Sequence, residues 1–61
     1  MYIKVIYRDD VAGYMIAEYD NVKDVLSTRS GISIGLPNNQ LAVYFHKDIH
    51  TITIAQEKPE Q

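Results

Sequence analysis

The chain is dominated by hydrophobic positions that recur every second residue. "YIKVIYR" sets Ile3, Val5 and Tyr7 against Tyr2, Lys4, Ile6 and Arg8. "GISIGL" sets Ile32, Ile34 and Leu36 against Ser33 and Gly35, and "LAVYF" sets Leu41, Val43 and Phe45 against Ala42 and Tyr44. "HTITIA" opposes Ile52 and Ile54 to Thr51, Thr53 and Ala55, and "GYMIAEY" is apolar on both sides. A period of two over short runs rich in Ile, Val, Thr and Tyr predicts β-strands, because successive side chains leave a strand on opposite faces.

The breaks between these runs carry turn chemistry. "RDDVAG" offers Asp9, Asp10 and Gly13 between the first two strands, and "LPNNQ" offers Pro37 to preset φ and Asn38 or Asn39 to enter the left-handed region. "HKDI" has room for one helical turn before the last strand. The stretch "DNVKDVLSTRSG" admits two readings. As a helix over about 21–29 it starts at Asp20 or Asn21, buries Val22, Val25 and Leu26, and ends at Gly31. As a strand it carries Val22, Asp24 and Leu26 on one face and bends at Ser30 and Gly31. Its β-branched residues weaken the helix, and its length is marginal for one.

The pattern thus predicts an all-β fold: a small, strongly curved antiparallel meander of five to six strands, or an SH3-like barrel. The alternative is an α+β fold with one short helix. One face is expected to be closed by Ile32, Ile34, Leu36, Leu41, Val43, Phe45, Ile52 and Ile54. Residues 1–55 form the single domain, and the charged "QEKPEQ" at 56–61 reads as a flexible tail.

Length sharpens this picture. A chain of 61 residues buries only ~60% of the surface it exposes when unfolded, so its core is thin. Small domains compensate with disulfides, metal or a partner subunit. With no cysteine, disulfides and thiolate metal sites are excluded, which leaves an efficient core or self-association. The absence of cysteine also suits a cytoplasmic location. No apolar run approaches the ~20 residues of a membrane span, and "MYIKVIYRDD" is not patterned as a signal peptide. The net charge of −2 is not the basic footprint of a nucleic-acid binder.

A bent strand, two hairpin strands and a helical turn before the last strand resemble the layout of SH3-like barrels. The run "NVKDVLSTRSGISIGLPNNQLAVYFHKDIHTITI" is similar to short β-meander accessory proteins of phages and mobile elements of Gram-positive bacteria. That resemblance covers about half the chain. It implies a non-enzymatic accessory or inhibitor role and carries no catalytic residues with it.

Three constellations of chemistry need weighing. "GISIG" fits the G-x-S-x-G of a nucleophilic serine, and Asp48 and His50 follow in the right order. Such a serine sits at a sharp strand-to-helix bend, however, and here the alternation runs unbroken through Ser33 to Leu36. A hydrolase also needs a pocket of ~300 Å³ or more, hard to combine with a core in so short a chain. No catalytic residue is expected. "HKDIH" holds His46, Asp48 and His50, but a spacing of four aligns two histidines only on a helix. Zinc sites take three or four protein ligands. No metal and no cofactor is expected.

The five tyrosines suit either rim packing or a contact surface, since tyrosine is enriched at interfaces. If Ile34 and Val43 face inward, Ala42 and Tyr44 face outward, and Met15, Ala17 and Tyr19 can join them. The candidate protein interface is therefore Tyr14, Tyr19, Ala42, Tyr44 and His46, covered by a second copy in a homodimer or by a host protein. Nucleic acid is disfavoured; its candidate contacts are Arg8, Arg29 and Lys47, should they converge at one end of the sheet. Asp9, Asp10, Glu18, Asp20 and Asp24 make the first half acidic, a weak version of charge mimicry by an inhibitor. The expected function is a protein-binding module that modulates or inhibits a host enzyme or defence protein. Single-stranded nucleic-acid binding comes next, and a structural subunit of a larger assembly third.

Overall fold

The computed structural model describes residues 1–59. Six strands run in chain order: β1 (Tyr2–Asp9), β2 (Gly13–Tyr19), β3 (Asp24–Ser27), β4 (Gly31–Leu36), β5 (Gln40–Phe45) and β6 (Ile49–Ala55). Single 3-10 turns at Pro37–Asn39 and His46–Asp48 precede β5 and β6. The fold is all-β. The helix alternative over 21–29 does not form. Asn21 takes a left-handed φ of 59°, Val22 donates its N–H to the Met1 carbonyl, and Lys23 donates to the Gly35 carbonyl, both at 2.8 Å. These donors serve neighbouring strands instead of a helix.

The turns follow their chemistry. The Asp9 carboxylate accepts the N–H groups of Val11 (2.8 Å) and Ala12 (3.0 Å), and Gly13 enters β2 at φ 84°. After Pro37, both Asn38 (φ 64°) and Asn39 (φ 60°) are left-handed, a conformation asparagine tolerates better than other side chains do.

The strands form two three-stranded antiparallel sheets, in the orders β2-β1-β6 and β3-β4-β5. No strand is common to both, so the described residues form a curved meander of two facing sheets and no closed barrel. Ile3 and Val5 of β1 pack with Ile32 and Ile34 of β4, and Val22 closes one end. Tyr7, Tyr19, Val25, Leu36, Ala42, Tyr44 and Ile49 surround this core.

Three expectations about faces are corrected. In β5, Leu41, Val43 and Phe45 face outward, while Ala42 and Tyr44 face the core. The register pairs Leu36 with Gln40, Ile34 with Ala42 and Ile32 with Tyr44. Opposed residues share a face, and a slip of one residue exchanges the faces of a whole strand. In β6, Ile52 and Ile54 sit on the inward side opposite Val5 and Ile3 but remain exposed, because β6 is an edge strand that the second sheet does not cover. Tyr2, on the outward side of β1, is buried. It adjoins a small hollow bordered by Lys4, Glu18, Thr53, Lys58 and Pro59. Residues 56–59 therefore reach the outer side of the first sheet; the rest of the expected tail, 60 and 61, lies outside the described residues.

Candidate interaction surface

The outer face of the β3-β4-β5 sheet sets small residues of β4 between larger ones of β3 and β5. β4 presents Gly31, Ser33 and Gly35 there. The glycines differ in their tolerance: a Cβ on Gly31 would stand 2.2 Å from the Tyr44 carbonyl oxygen, a backbone atom, whereas one on Gly35 would meet the Asp24 carboxylate, the end of an exposed side chain that can swing away. Opposite these three, β5 presents Phe45, Val43 and Leu41 in that order. On the other side β3 presents Leu26 opposite Ser33 and Asp24 opposite Gly35, with the Asp24 carboxylate lying over that glycine. The result is a β5 ridge of Phe45, Val43 and Leu41 beside a low β4, with Leu26 and Asp24 on its far side.

All four large side chains are open to solvent: Leu26 63%, Leu41 64%, Val43 53% and Phe45 54% exposed. Scattered exposed apolar residues are ordinary, whereas a contiguous patch marks a contact site. Fully burying one such side chain is worth roughly 1.5–3 kcal/mol, so covering this face has a substantial driving force.

The interface residues expected from sequence do not share one exposed face, although two of them touch. Tyr14 lies on the outer face of the other sheet, its ring edge-on to His50 at 5.2 Å. Tyr19 and Tyr44 point between the sheets and join hydroxyl to hydroxyl. Ala42 faces the core beside Ile34. His46 clamps the turn before β6 onto the β3–β4 connection, with Nε2 2.9 Å from the Thr28 carbonyl oxygen and its backbone N–H donating to the Ser30 carbonyl at 3.0 Å. Leu26, Leu41, Val43 and Phe45 were missed as surface residues. Turn composition alone did not reveal them: it is the observed pairing of Leu36 with Gln40 across Pro37–Asn39 that sends Val43 to the side of Ser33.

Other constellations are dispersed. Ser33 lies mid-strand, on the outer side of its sheet. Asp48 belongs to the second 3-10 turn, and His50 belongs to the opposite sheet, where its Nδ1 lies 2.7 Å from the Thr51 hydroxyl. No group of three or more His, Cys, Asp or Glu side chains is placed to hold a metal ion among the described residues. No helix among them is long and apolar enough to cross a membrane. The segments that carry Arg8, Arg29 and Lys47 lie at one end of the fold. His46 ties the residues flanking Arg29 to the turn that carries Lys47, and the pairing of Tyr7 with Ile49 brings Arg8 to the same turn. Asp9, Asp10 and Asp48 stand at that end too, so the local charge balances.

Titration is perturbed at a few groups. The Tyr2 hydroxyl donates to Glu18 Oε1 at 2.6 Å. That bond, aided by burial, pushes the phenol up to about 12 and holds the Glu18 carboxyl below its usual range. The N–H groups of Ala12 and Val11 lower Asp9. Burial, and then the bond with Tyr19, raises Tyr44.

No protein-family model matches this chain, and no curated protein or solved structure matches it either.

Proposed function

We propose that the protein is a non-enzymatic protein-binding module whose working surface is the outer face of the β3-β4-β5 sheet. The observation that carries this reading is the exposure of Leu26, Leu41, Val43 and Phe45 around a floor of Gly31, Ser33 and Gly35. A protein partner supplies the apolar cover that such a face lacks. The biological setting we favour is a phage or mobile-element modulator, acting in the cytoplasm on a host enzyme or defence protein. That setting rests on the pattern resemblance of residues 21–54 to such accessory proteins.

The test compares two lysine variants in capture from the native host. Val43→Lys charges the proposed face, and Ile16→Lys charges an exposed residue of the other sheet (62% exposed). The reading expects one specific protein to be retained by wild type and Ile16→Lys and lost by Val43→Lys. Loss on Ile16→Lys alone would move the working surface to the other sheet.

A second reading has one supporting observation, the position of the segments carrying Arg8, Arg29 and Lys47 at one end of the fold. Its test is titration with a labelled single-stranded oligonucleotide at low and high salt. Binding that falls steeply with salt and is weakened by Lys47→Ala supports a phosphate-contacting site; the balancing aspartates make us expect no such binding.

A further inference from the structure

The last strand is an edge that the fold leaves open. Ile52 and Ile54 stand on the inward side of β6, opposite Val5 and Ile3. Val5 and Ile3 are 0% exposed, whereas Ile52 is 36% and Ile54 55% exposed. The core row that begins on β1 is therefore uncovered where β6 continues it. Alternate residues of an edge strand also direct their N–H and C=O groups away from the ladder. Among the described residues, no backbone hydrogen bond apart from the pairing with β1 involves residues 51–55. After Ala55 the chain turns over the outer side of β1, where Lys58 and Pro59 border a hollow with Lys4 and Glu18, so residues 56–59 run away from this edge.

Nothing in the strand guards it against pairing. Edge strands are ordinarily protected by charge, proline, a bulge or extreme shortness. β6 has seven residues, IHTITIA, with no Lys, Arg, Asp, Glu or Pro, and the irregularity in its ladder falls at His50, before Thr51. The other edges differ. β2 carries Glu18, β3 is four residues long with Asp24, and the inward residues of β5, Ala42 and Tyr44, pack against the core. An open edge is completed by another strand, and β6 suits its own copy. Antiparallel pairing about a two-fold axis at Thr53 sets Ile52 opposite Ile54, Thr51 opposite Ala55, and Thr53 opposite its counterpart. Opposed residues share a face, so isoleucines meet on the inward side and small residues on the outward side. Such β-branched and Thr–Thr pairs are favourable, and no like charges meet. Beside Ile54 an open hollow bordered by Met1, Ala55 and Gln56 has room for the incoming isoleucine. A chain of 61 residues without cysteine also belongs to the size class that gains stability from a partner subunit.

We infer that two copies of this chain join through their β6 strands, so that two three-stranded sheets merge into one continuous antiparallel sheet. The contact is isologous and closes on itself, because each copy has one β6 edge. It uses none of Leu26, Leu41, Val43 and Phe45, so the dimer carries two free copies of the proposed working face and binds a partner bivalently. The pairing itself does not depend on that face.

Residue 53 lies on the inferred axis, so a charge placed there meets itself. Sedimentation equilibrium on wild type is expected to show a monomer–dimer equilibrium. Thr53→Glu sits opposite Lys4 of its own chain and should keep the fold by far-UV circular dichroism. It should weaken the dimer at least about tenfold in dissociation constant. Thr51→Glu puts the same charge opposite Ala55 and should weaken it far less. An equimolar mixture of Thr53→Glu and Thr53→Lys should regain the dimer. Association of Thr53→Glu equal to wild type overturns the pairing, as does equal weakening by Thr51→Glu and Thr53→Glu; this comparison decides even where Thr53→Lys fails to fold. A mixture of the two folded variants that stays monomeric overturns the axis at Thr53. A wild type that is monomeric at high micromolar concentration overturns the dimer, and host capture then lost in Thr53→Glu would give the edge to a foreign strand. The working face is decided separately by the capture comparison of Val43→Lys with Ile16→Lys.

Discussion

The hydroxyl groups of Tyr19 and Tyr44 meet between the two sheets. The Tyr44 ring is tilted against Tyr7 at 5.1 Å and stands edge-on to Tyr19 at 6.4 Å. This one contact joins β5 to β1 and β2, and it explains why a tyrosine faces inward while Val43 and Phe45 face out. The inward ring is half-buried without an orphaned polar atom, because its hydroxyl has a partner.

Removing one hydroxyl leaves the other unpaired, whereas removing both does not. Tyr19→Phe and Tyr44→Phe should each cost about 1 kcal/mol in urea unfolding, and the double variant should cost clearly less than their sum. Strictly additive costs would show that the hydroxyl pair does not couple the sheets.

Gly31 and Ser33 are two residues apart on the same face of β4, yet their tolerance should differ sharply. Gly31→Ala must push a methyl into the Tyr44 backbone oxygen, and overpacking of that kind costs about 1–3 kcal/mol. Ser33→Ala changes an outward side chain and should stay within about 0.5 kcal/mol of wild type. The same melt measures both. A loss of hydrolytic activity in Ser33→Ala would revive the nucleophile that the mid-strand geometry argues against.

The Tyr2–Glu18 bond has opposite signatures in acid and base. Glu18 is lowered in the folded state, so its contribution is present above the unfolded value of 4.5 and is lost as pH falls below it. Tyr2 is raised, so its contribution is present below 10 and is lost as pH rises to about 12. Glu18→Gln keeps an acceptor but removes the charge. Tyrosinate absorbance should show a component with its midpoint near 12 in wild type, moving down toward 10 in the variant. The variant should also lose less stability than wild type on acidification below 4.5. An unchanged tyrosinate titration would mean that the bond is not made in solution.

Ile34 is fully buried at the centre of the core. Truncation to alanine at such a site costs about 2–5 kcal/mol, against a total of roughly 3–9 kcal/mol for a chain of this length. Ile34→Ala should therefore lose a large share of its stability, read as a strongly lowered urea midpoint and melting temperature by circular dichroism.

Much of the architecture was legible from local pattern. The alternation of Ile3, Val5 and Tyr7, and of Ile32 and Ile34, marks strands and their inward faces without reference to the rest of the fold. Asp9 with Gly13, and Pro37 with the two asparagines, mark the hairpin turns because their backbone chemistry is local. The single 3-10 turn at His46–Asp48 follows from the few residues available there. The candidate site was not legible in the same way. "LAVYF" alternates equally well in either phase, and its large aliphatic residues look more like core than Ala42 and Tyr44 do.

What the sequence by itself determined is the strand content, the turns and the outward position of Ser33, since each depends on residues close in the chain. Which side of β5 faces the core was decided only in the tertiary structure. There the three-residue turn sets the pairing of Leu36 with Gln40, and the Tyr44 hydroxyl finds Tyr19 on another sheet. That long-range satisfaction of a polar group turns Leu41, Val43 and Phe45 outward and makes the face on which the proposed function rests.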